Sequence, residues 1–327
     1  MHFSEGIGAQ PDALTRSRIR VSEALPALPV PATGQVVALV GIGASEYAAR
    51  GAAVQWRQMG LRAFAISAAE IVEGGAGADI YVAISESGRS TETIRAVELV
   101  GGARSIAVVN APDSPLAAAC SAVLDLGSGE DSPIYTTGYT ATLQALGLLG
   151  EHWSGRTSEW TSLPALAQQV LDECAGSAER LAAVLDDARV VDVVASGVGA
   201  ATGGEGALLL RESARLLTAA HETRNYLHGP MEPLDPSIAC LVVGADREIR
   251  LARDTAALGC PTVLVTSDPD VATEGPLTVL RLPRAGSPLA QAVLEILPVQ
   301  LLAWAVARRR GLAVDGFRYQ QEDTKSR

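Results

Sequence analysis

The sequence predicts an α/β protein in which a parallel sheet flanked by helices is built twice in tandem. Three observations predict it. Short apolar runs alternate with stretches of helical spacing, the pattern of a parallel sheet covered on both faces. The 327 residues are 48% hydrophobic but only 4% aromatic, enough for two full cores made mainly of small aliphatic side chains. The second half also repeats the first at an offset of about 155 residues. Val40-Gly41-Ile42-Gly43-Ala44 matches the turn Ser196-Gly197-Val198-Gly199-Ala200, strand 80–84 matches 239–243, and 105–109 matches 261–265. The expected organisation is a leading helix in residues 1–30, sheet domains in 31–170 and 171–310, and a tail in 311–327.

In chain order, a helix is expected from about Gln10 to Leu28. Pro11 and Asp12 start it, and Leu14, Ile19, Val21 and Leu25 form its apolar stripe. Val36 to Val40 reads as a buried strand running into Gly41-Ile42-Gly43-Ala44-Ser45, with a helix over Tyr47 to Met59. A G-x-G after a strand invites a dinucleotide reading, but Glu46 occupies the place of the third glycine. The turn is read instead as presenting Gly43 and Ser45 to a pocket.

Ile80 to Ile84 is the next strand and 93–100 the helix after it. Ser85, Ser87, Gly88 and Ser90 lie between them, where an open α/β sheet binds ligands and a helix N-terminus favours an anion. The segment alone leaves two readings open, a phosphate turn and a serine-rich helix cap. Strand 105–110, helix 115–121 and strand 123–126 follow, then an acidic loop leading through Thr136 and Thr137 into a helix over 141–149.

Two linking helices, 160–174 and 177–185, precede the strand Val190 to Ala195. Where the first half has Ser85-Glu86-Ser87-Gly88, the second has Gly244-Ala245-Asp246-Arg247. Without a hydroxyl cluster, only the first half suits phosphate. Glu205 and Glu212 lie seven apart, which puts them on one helix face.

Net charge is −11 and no basic run exceeds Arg308-Arg309-Arg310, so nucleic-acid binding is not expected. The longest apolar stretch, Leu294 to Ala307, contains Glu295, Pro298 and Gln300; no membrane association and no signal peptide are expected. Four scattered cysteines without a C-x-x-C pair read as free thiols in a cytoplasmic protein. No cluster has metal-ligand spacing, so no metal is expected. Lys325 is the only lysine.

Ser85-Glu86-Ser87-Gly88, Glu205 to Glu212 and His228-Gly229-Pro230 together resemble the motifs of the sugar isomerase (SIS) family. The likeness covers essentially the whole chain. It is to tandem-SIS enzymes of the glucosamine-6-phosphate synthase isomerase type and their stand-alone deaminase and deglycase relatives. It implies two tandem SIS subdomains, each a flavodoxin-like three-layer sandwich, and a sugar phosphate as ligand. It implies that Ser45, Ser85, Ser87 and Ser90 hold the phosphate, that Thr136 helps close the sugar pocket and that Glu212 is the proton-transfer acid/base. His228 would open the sugar ring from a partner subunit, making a homodimer with a shared site, and no cofactor is implied.

The expected activity is isomerisation with deamination of a hexosamine 6-phosphate of the glucosamine type. Two departures qualify it. The family's tail places Glu322 where the synthases carry an imine-forming lysine, with Lys325 three residues on. Glu86 replaces the synthases' glutamine, so it could serve as a second acid/base. That opens an alternative, a dehydratase or lyase eliminating water from N-acetylglucosamine 6-phosphate. A third reading is a sugar-phosphate-sensing module without turnover. Met1 is not followed by a cysteine nucleophile, so glutamine-dependent synthesis is not expected.

Overall fold

The computed structural model describes residues 1–75, 77–101, 104–319, 321 and 323–326. The first five strands are β1 (Val36–Gly41), β2 (Arg62–Ser67), β3 (Ile80–Ile84), β4 (Ser105–Val109) and β5 (Ala122–Asp125). They form one parallel sheet in the order β2-β1-β3-β4-β5. The next five are β6 (Val190–Ala195), β7 (Thr218–Glu222), β8 (Ile238–Val243), β9 (Thr262–Thr266) and β10 (Leu277–Arg281). Read from the other edge, their parallel sheet runs β7-β6-β8-β9-β10, the same topology again. The duplicated α/β architecture is therefore present in full. Each sheet reverses its strand order once, between β1 and β3 and between β6 and β8, and crevices for ligands open at the carboxyl ends of such strands.

The helices are α1 (Phe3–Ala24), α2 (Ala44–Gln58), α3 (Ala68–Gly74), α4 (Thr91–Val100), α5 (Pro115–Ala119) and α6 (Thr137–Ser154). In the second half they are α7 (Leu163–Asp187), α8 (Ala200–Ala214), α9 (Thr223–Tyr226), α10 (Arg247–Ala257) and α11 (Pro288–Arg309). Helix α1 starts at Phe3 rather than near Gln10, because His2 and Glu5 form a capping box ahead of it. Pro11 is inside the helix. It cannot donate to the Ile7 carbonyl, and the Gln10 side chain does so instead at 3.3 Å. The two expected linking helices are one, α7. Ala167, Val170, Leu171 and Cys174 continue as Ala178, Leu181, Ala182 and Leu185 on the same buried face. That stripe outweighs the roughly 1 kcal/mol penalty of a mid-helix glycine at Gly176.

One core runs through both halves, with α2, α6, α7, α8 and α11 packed between the sheets. Trp56 Nε1 donates to the Leu146 carbonyl at 2.9 Å, and Tyr139 reaches across to the Ala201 carbonyl at 3.1 Å. Helix α11 is long and apolar enough to cross a membrane by length and composition, yet 83% of its most apolar window is buried. It is the central core helix. Gly204 sets the crossing of α8 on α2, since a Cβ there would stand 2.1 Å from Tyr47 Cδ1. This close approach brings the next residue, Glu205, beside the first sheet's crevice.

Candidate active site

The turns after β1 and β3 form the floor of a cleft, and α8 forms its wall. After β1 the chain passes through Gly43 at φ +58° and enters α2, whose first residues Ala44 and Ser45 line the cleft. After β3 it passes through Ser85, Glu86 and Gly88 before α4 begins. Gly88 has φ +62°, and a Cβ there would fall 1.9 Å from Ser114 Oγ, so only glycine fits. Helices α2 and α4 both aim their positive ends into this space.

The serines divide. Ser85 and Ser90 line the cleft and are buried, with Ser85 Oγ donating to Ser90 Oγ at 3.2 Å. Ser90 holds the N-cap position of α4, yet its side chain makes no capping bond. That speaks against the plain-cap reading for this hydroxyl and leaves it turned toward the cleft. Ser45 also lines the cleft, whereas Ser87 stands at the rim, where its hydroxyl accepts from Lys325 Nζ at 3.3 Å.

Glu205, Leu208 and Glu212 come off one face of α8 at i, i+3 and i+7, and all three line the cleft. Burial pushes the Glu212 carboxyl up to about 7, against the opposing pull of Lys325. Glu205 is raised well above the usual carboxylate range, first by burial and then by the charge of Glu212. Its Oε2 is buried with no hydrogen-bond partner. Glu86 lines the same cleft, raised by burial and partly restrained by Asn110 Nδ2, which donates to Oε1 at 3.0 Å.

Two expected contributors are placed off this cleft, and a third position cannot be located. Thr136 is fully buried and does not line the cleft, and its hydroxyl donates to Asp131 Oδ1 at 2.6 Å. Asp131 also accepts from the amides of Thr136, Thr137 and Gly138, so this acid caps α6 and takes up the threonine. His228 is exposed on the turn after α9 and does not line the cleft of its own chain. Glu322 lies outside the described residues.

The tail supplies what the strand–helix pattern did not reveal. Phe317, Thr324 and Lys325 line the cleft. The tail is held by Thr91 N donating to the Thr324 carbonyl at 3.3 Å and Ser326 N donating to the Arg89 carbonyl at 2.8 Å. Lys325 Nζ also lies 3.5 Å from the Tyr135 hydroxyl. Burial lowers its ammonium from the usual value, while Glu86, Glu92 and Glu212 pull the other way. The cleft thus presents four carboxyl groups, Glu86, Glu92, Glu205 and Glu212, against the single ammonium of Lys325 among the described residues. Hydroxyls and helix ends can hold an anion at one end, and carboxyls can exchange protons at the other. Among the described residues, no group of three histidine, cysteine or acidic side chains is placed to hold a metal.

Comparison with known proteins agrees with this fold. Residues 35–151 match the family model of the SIS domain. The chain is 28% identical over 260 residues to glutamine–fructose-6-phosphate aminotransferase (isomerizing) of Pyrobaculum aerophilum, covering 72% of this chain and 42% of that protein. The Thermus thermophilus protein of the same name matches at 28% over 263 residues, again across 72% and 42%. The chain thus spans less than half the length of these relatives. Among solved structures, the C-terminal domain of glucosamine-fructose-6-phosphate aminotransferase from Francisella tularensis superposes with TM-score 0.82 at 19% identity, covering 97% of this chain and 98% of that one. Glucosamine-6-phosphate deaminase from Thermotoga maritima gives 0.80 at 19% identity, with the same coverage. At these identities the likeness to solved structures is one of fold. Residues 35–151 are a SIS domain, and the chain is a homologue of the isomerase part of glutamine–fructose-6-phosphate aminotransferase.

Proposed function

We propose that the protein isomerises a hexosamine 6-phosphate of the glucosamine type and releases its nitrogen as ammonia. One observation carries the reading: Glu212, with its carboxyl near neutrality, shares a cleft with Ser45, Ser85 and Ser90 and the N-termini of α2 and α4. In this reading the serine hydroxyls and helix ends grip the 6-phosphate. That fixes the sugar's far end at Glu212, a pre-oriented arrangement of base and carbon. Glu212 takes the C2 proton of the open-chain aldose and returns it at C1, leaving a C2 imine. Water adds to C2, the C–N bond breaks and ammonia departs. A carboxyl near 7 is suited to both halves of that transfer.

The acidic lining favours a substrate that carries an ammonium, and so a free amine over an N-acetyl group. Lys325 offsets part of this negative charge beside the phosphate turn and is the one lysine able to form an imine with a ketose. His228, off the cleft of its own chain, would serve the cleft of a second copy. The Thermotoga maritima deaminase of the same fold supports the reaction class.

A second reading has its own support in Glu86. This buried carboxyl faces the same cleft, where it could protonate a C3 hydroxyl while Glu212 acts at C2. Water would then be eliminated from N-acetylglucosamine 6-phosphate. Incubation with each sugar separates the two. Ammonia and fructose 6-phosphate from the free amine are expected. An ultraviolet-absorbing unsaturated product from the N-acetyl sugar, with no ammonia from the amine, would sink the first reading in favour of the second.

A further inference from the structure

His228 follows a very short element. Helix α9 has four residues, Thr223–Tyr226, too few to hold a helical shape on their own in water. Of residues 223–230, only Thr223 and Tyr226 are buried. The Tyr226 carbonyl accepts from Met231 N at 3.2 Å, which closes His228-Gly229-Pro230 into a loop on that residue. The Tyr226 ring packs with Val194 and Val242 on the face of the second sheet turned away from the central core. Its phenol donates to Asp192 Oδ2 at 2.7 Å.

Asp192 is the one polar side chain in β6, a strand otherwise of valine and alanine, and it is buried. Burying a carboxylate costs free energy unless it is hydrogen-bonded, a cost that an apolar residue like its neighbours avoids. What the carboxylate supplies is a strong bond of fixed length and direction. Apolar packing alone lets a short helix slide on a sheet, whereas this bond pins α9 at one place. His221, on the neighbouring strand β7, flanks the pair. Its Nε2 lies 3.6 Å from Asp192 Oδ1, and its ring centre is 4.9 Å from that of Tyr226. Neither Asp192 nor Tyr226 lines the cleft, so substrate contact does not account for them.

We infer that Asp192, acting through Tyr226, is a positioning residue for the His228 imidazole. The inference rests on the role proposed for His228 in the cleft of a second copy. There the imidazole takes the proton of the O1 hydroxyl and gives one to O5, as the C1–O5 bond breaks and the C1 carbonyl forms. A misplacement of about 1 Å can cost such a step about a hundredfold. His228 is two residues from Tyr226, so a shift of α9 is carried directly to the imidazole.

The test starts with Tyr226→Phe, which keeps the ring and removes the hydroxyl. On glucosamine 6-phosphate, kcat is expected to fall about tenfold or more, with KM changed by less than about twofold. Asp192→Asn keeps an acceptor for the phenol and should retain most of the rate. The double variant Asp192→Leu, Tyr226→Phe replaces both partners by apolar groups of like shape. It should melt near the wild type and yet stay slow, which a purely stabilising pair would not explain. Adding Tyr226→Phe to His228→Ala should cost nothing further. A wild-type kcat for Tyr226→Phe overturns the inference. So does a rate that returns with the melting temperature in the double variant, or a loss that simply adds to that of His228→Ala. If glucosamine 6-phosphate is not turned over, or His228→Ala turns it over at the wild-type rate, the role proposed for His228 fails. Positioning is then read from the His228 ring resonance in the NMR spectrum of histidine-labelled protein. A resonance moved by Tyr226→Phe more than by Asp192→Asn supports it, and one that does not distinguish the two variants overturns it.

Discussion

Lys325 Nζ donates to the Ser87 hydroxyl across 3.3 Å, joining the tail to the serine turn 238 residues before it. The contact puts the one lysine of the chain between that turn and Glu212, whose charges each move the other's proton affinity. Replacing it with an uncharged side chain of similar length removes the only cation among the described residues of a cleft of acids. Lys325→Met is expected to lower turnover of glucosamine 6-phosphate by about tenfold or more, a loss of roughly 1.4 kcal/mol or more in transition-state stabilisation. Steady-state rates check this, and a fully active variant would show that the tail contact is only structural.

Glu212 has to be ionised to accept a proton. Its carboxyl is held near 7 by burial, so kcat/KM is expected to rise with pH through about 7. A profile already flat from pH 5 upward would contradict this assignment. Glu212→Gln keeps the shape but removes the base. It should abolish turnover while leaving the affinity for glucosamine 6-phosphate, measured by calorimetry, nearly intact.

His228 is exposed and absent from its own cleft, while Glu212 lines it. If a second copy supplies the imidazole, inactive Glu212→Gln and His228→Ala chains should complement each other. Random mixing makes half the dimers mixed, each with one intact site, and so restores about a quarter of the wild-type rate. No recovery after unfolding and co-refolding would place the histidine outside the reaction.

Gly88 sits where a side chain has neither the backbone angle nor the space: φ is +62°, and Ser114 Oγ would lie 1.9 Å from a Cβ. Gly88→Ala should therefore distort the turn that presents Ser85 and Ser90. Left-handed strain alone costs about 1–2 kcal/mol. Binding of glucosamine 6-phosphate is expected to weaken by about tenfold or more. Unaltered calorimetric affinity would mean that the phosphate lies elsewhere.

Legibility in the sequence followed burial. The strand over Val190 to Ala195 was readable because five of its six residues are buried and only Asp192 interrupts its apolar run. Strand β7 was not, because it is an edge strand whose Thr218-Ala219-Ala220-His221-Glu222 is mostly half exposed and carries no apolar pattern. The α8 face was legible for a similar reason, since a spacing of seven fixes which side chains share a side. Long-range partners were not. Thr136 looked like a pocket hydroxyl, but Asp131, from the loop before it, takes up its proton. Lys325 could be singled out only by being unique, because nothing local in Asp323-Thr324-Lys325-Ser326 says that it folds back onto the turn at Ser87.

The second crevice holds an acid of its own. Glu295 on α11 is buried beside Thr202, whose hydroxyl lies 3.4 Å from Oε2, and burial pushes its carboxyl up to about 7. A folded chain that keeps this proton above the ordinary carboxylate range is favoured below that range. The benefit fades as pH rises through about 7. Taking the rise from 4.5 to about 7, linkage allows at most about 3 kcal/mol between the two limits. Glutamine copies the neutral acid and does not titrate, so Glu295→Gln should melt close to the wild type at pH 5 and above it at pH 8. Melting curves at the two pH values measure the difference. Equal offsets at both would mean that Glu295 stays charged in the fold, with a partner or water stabilising it.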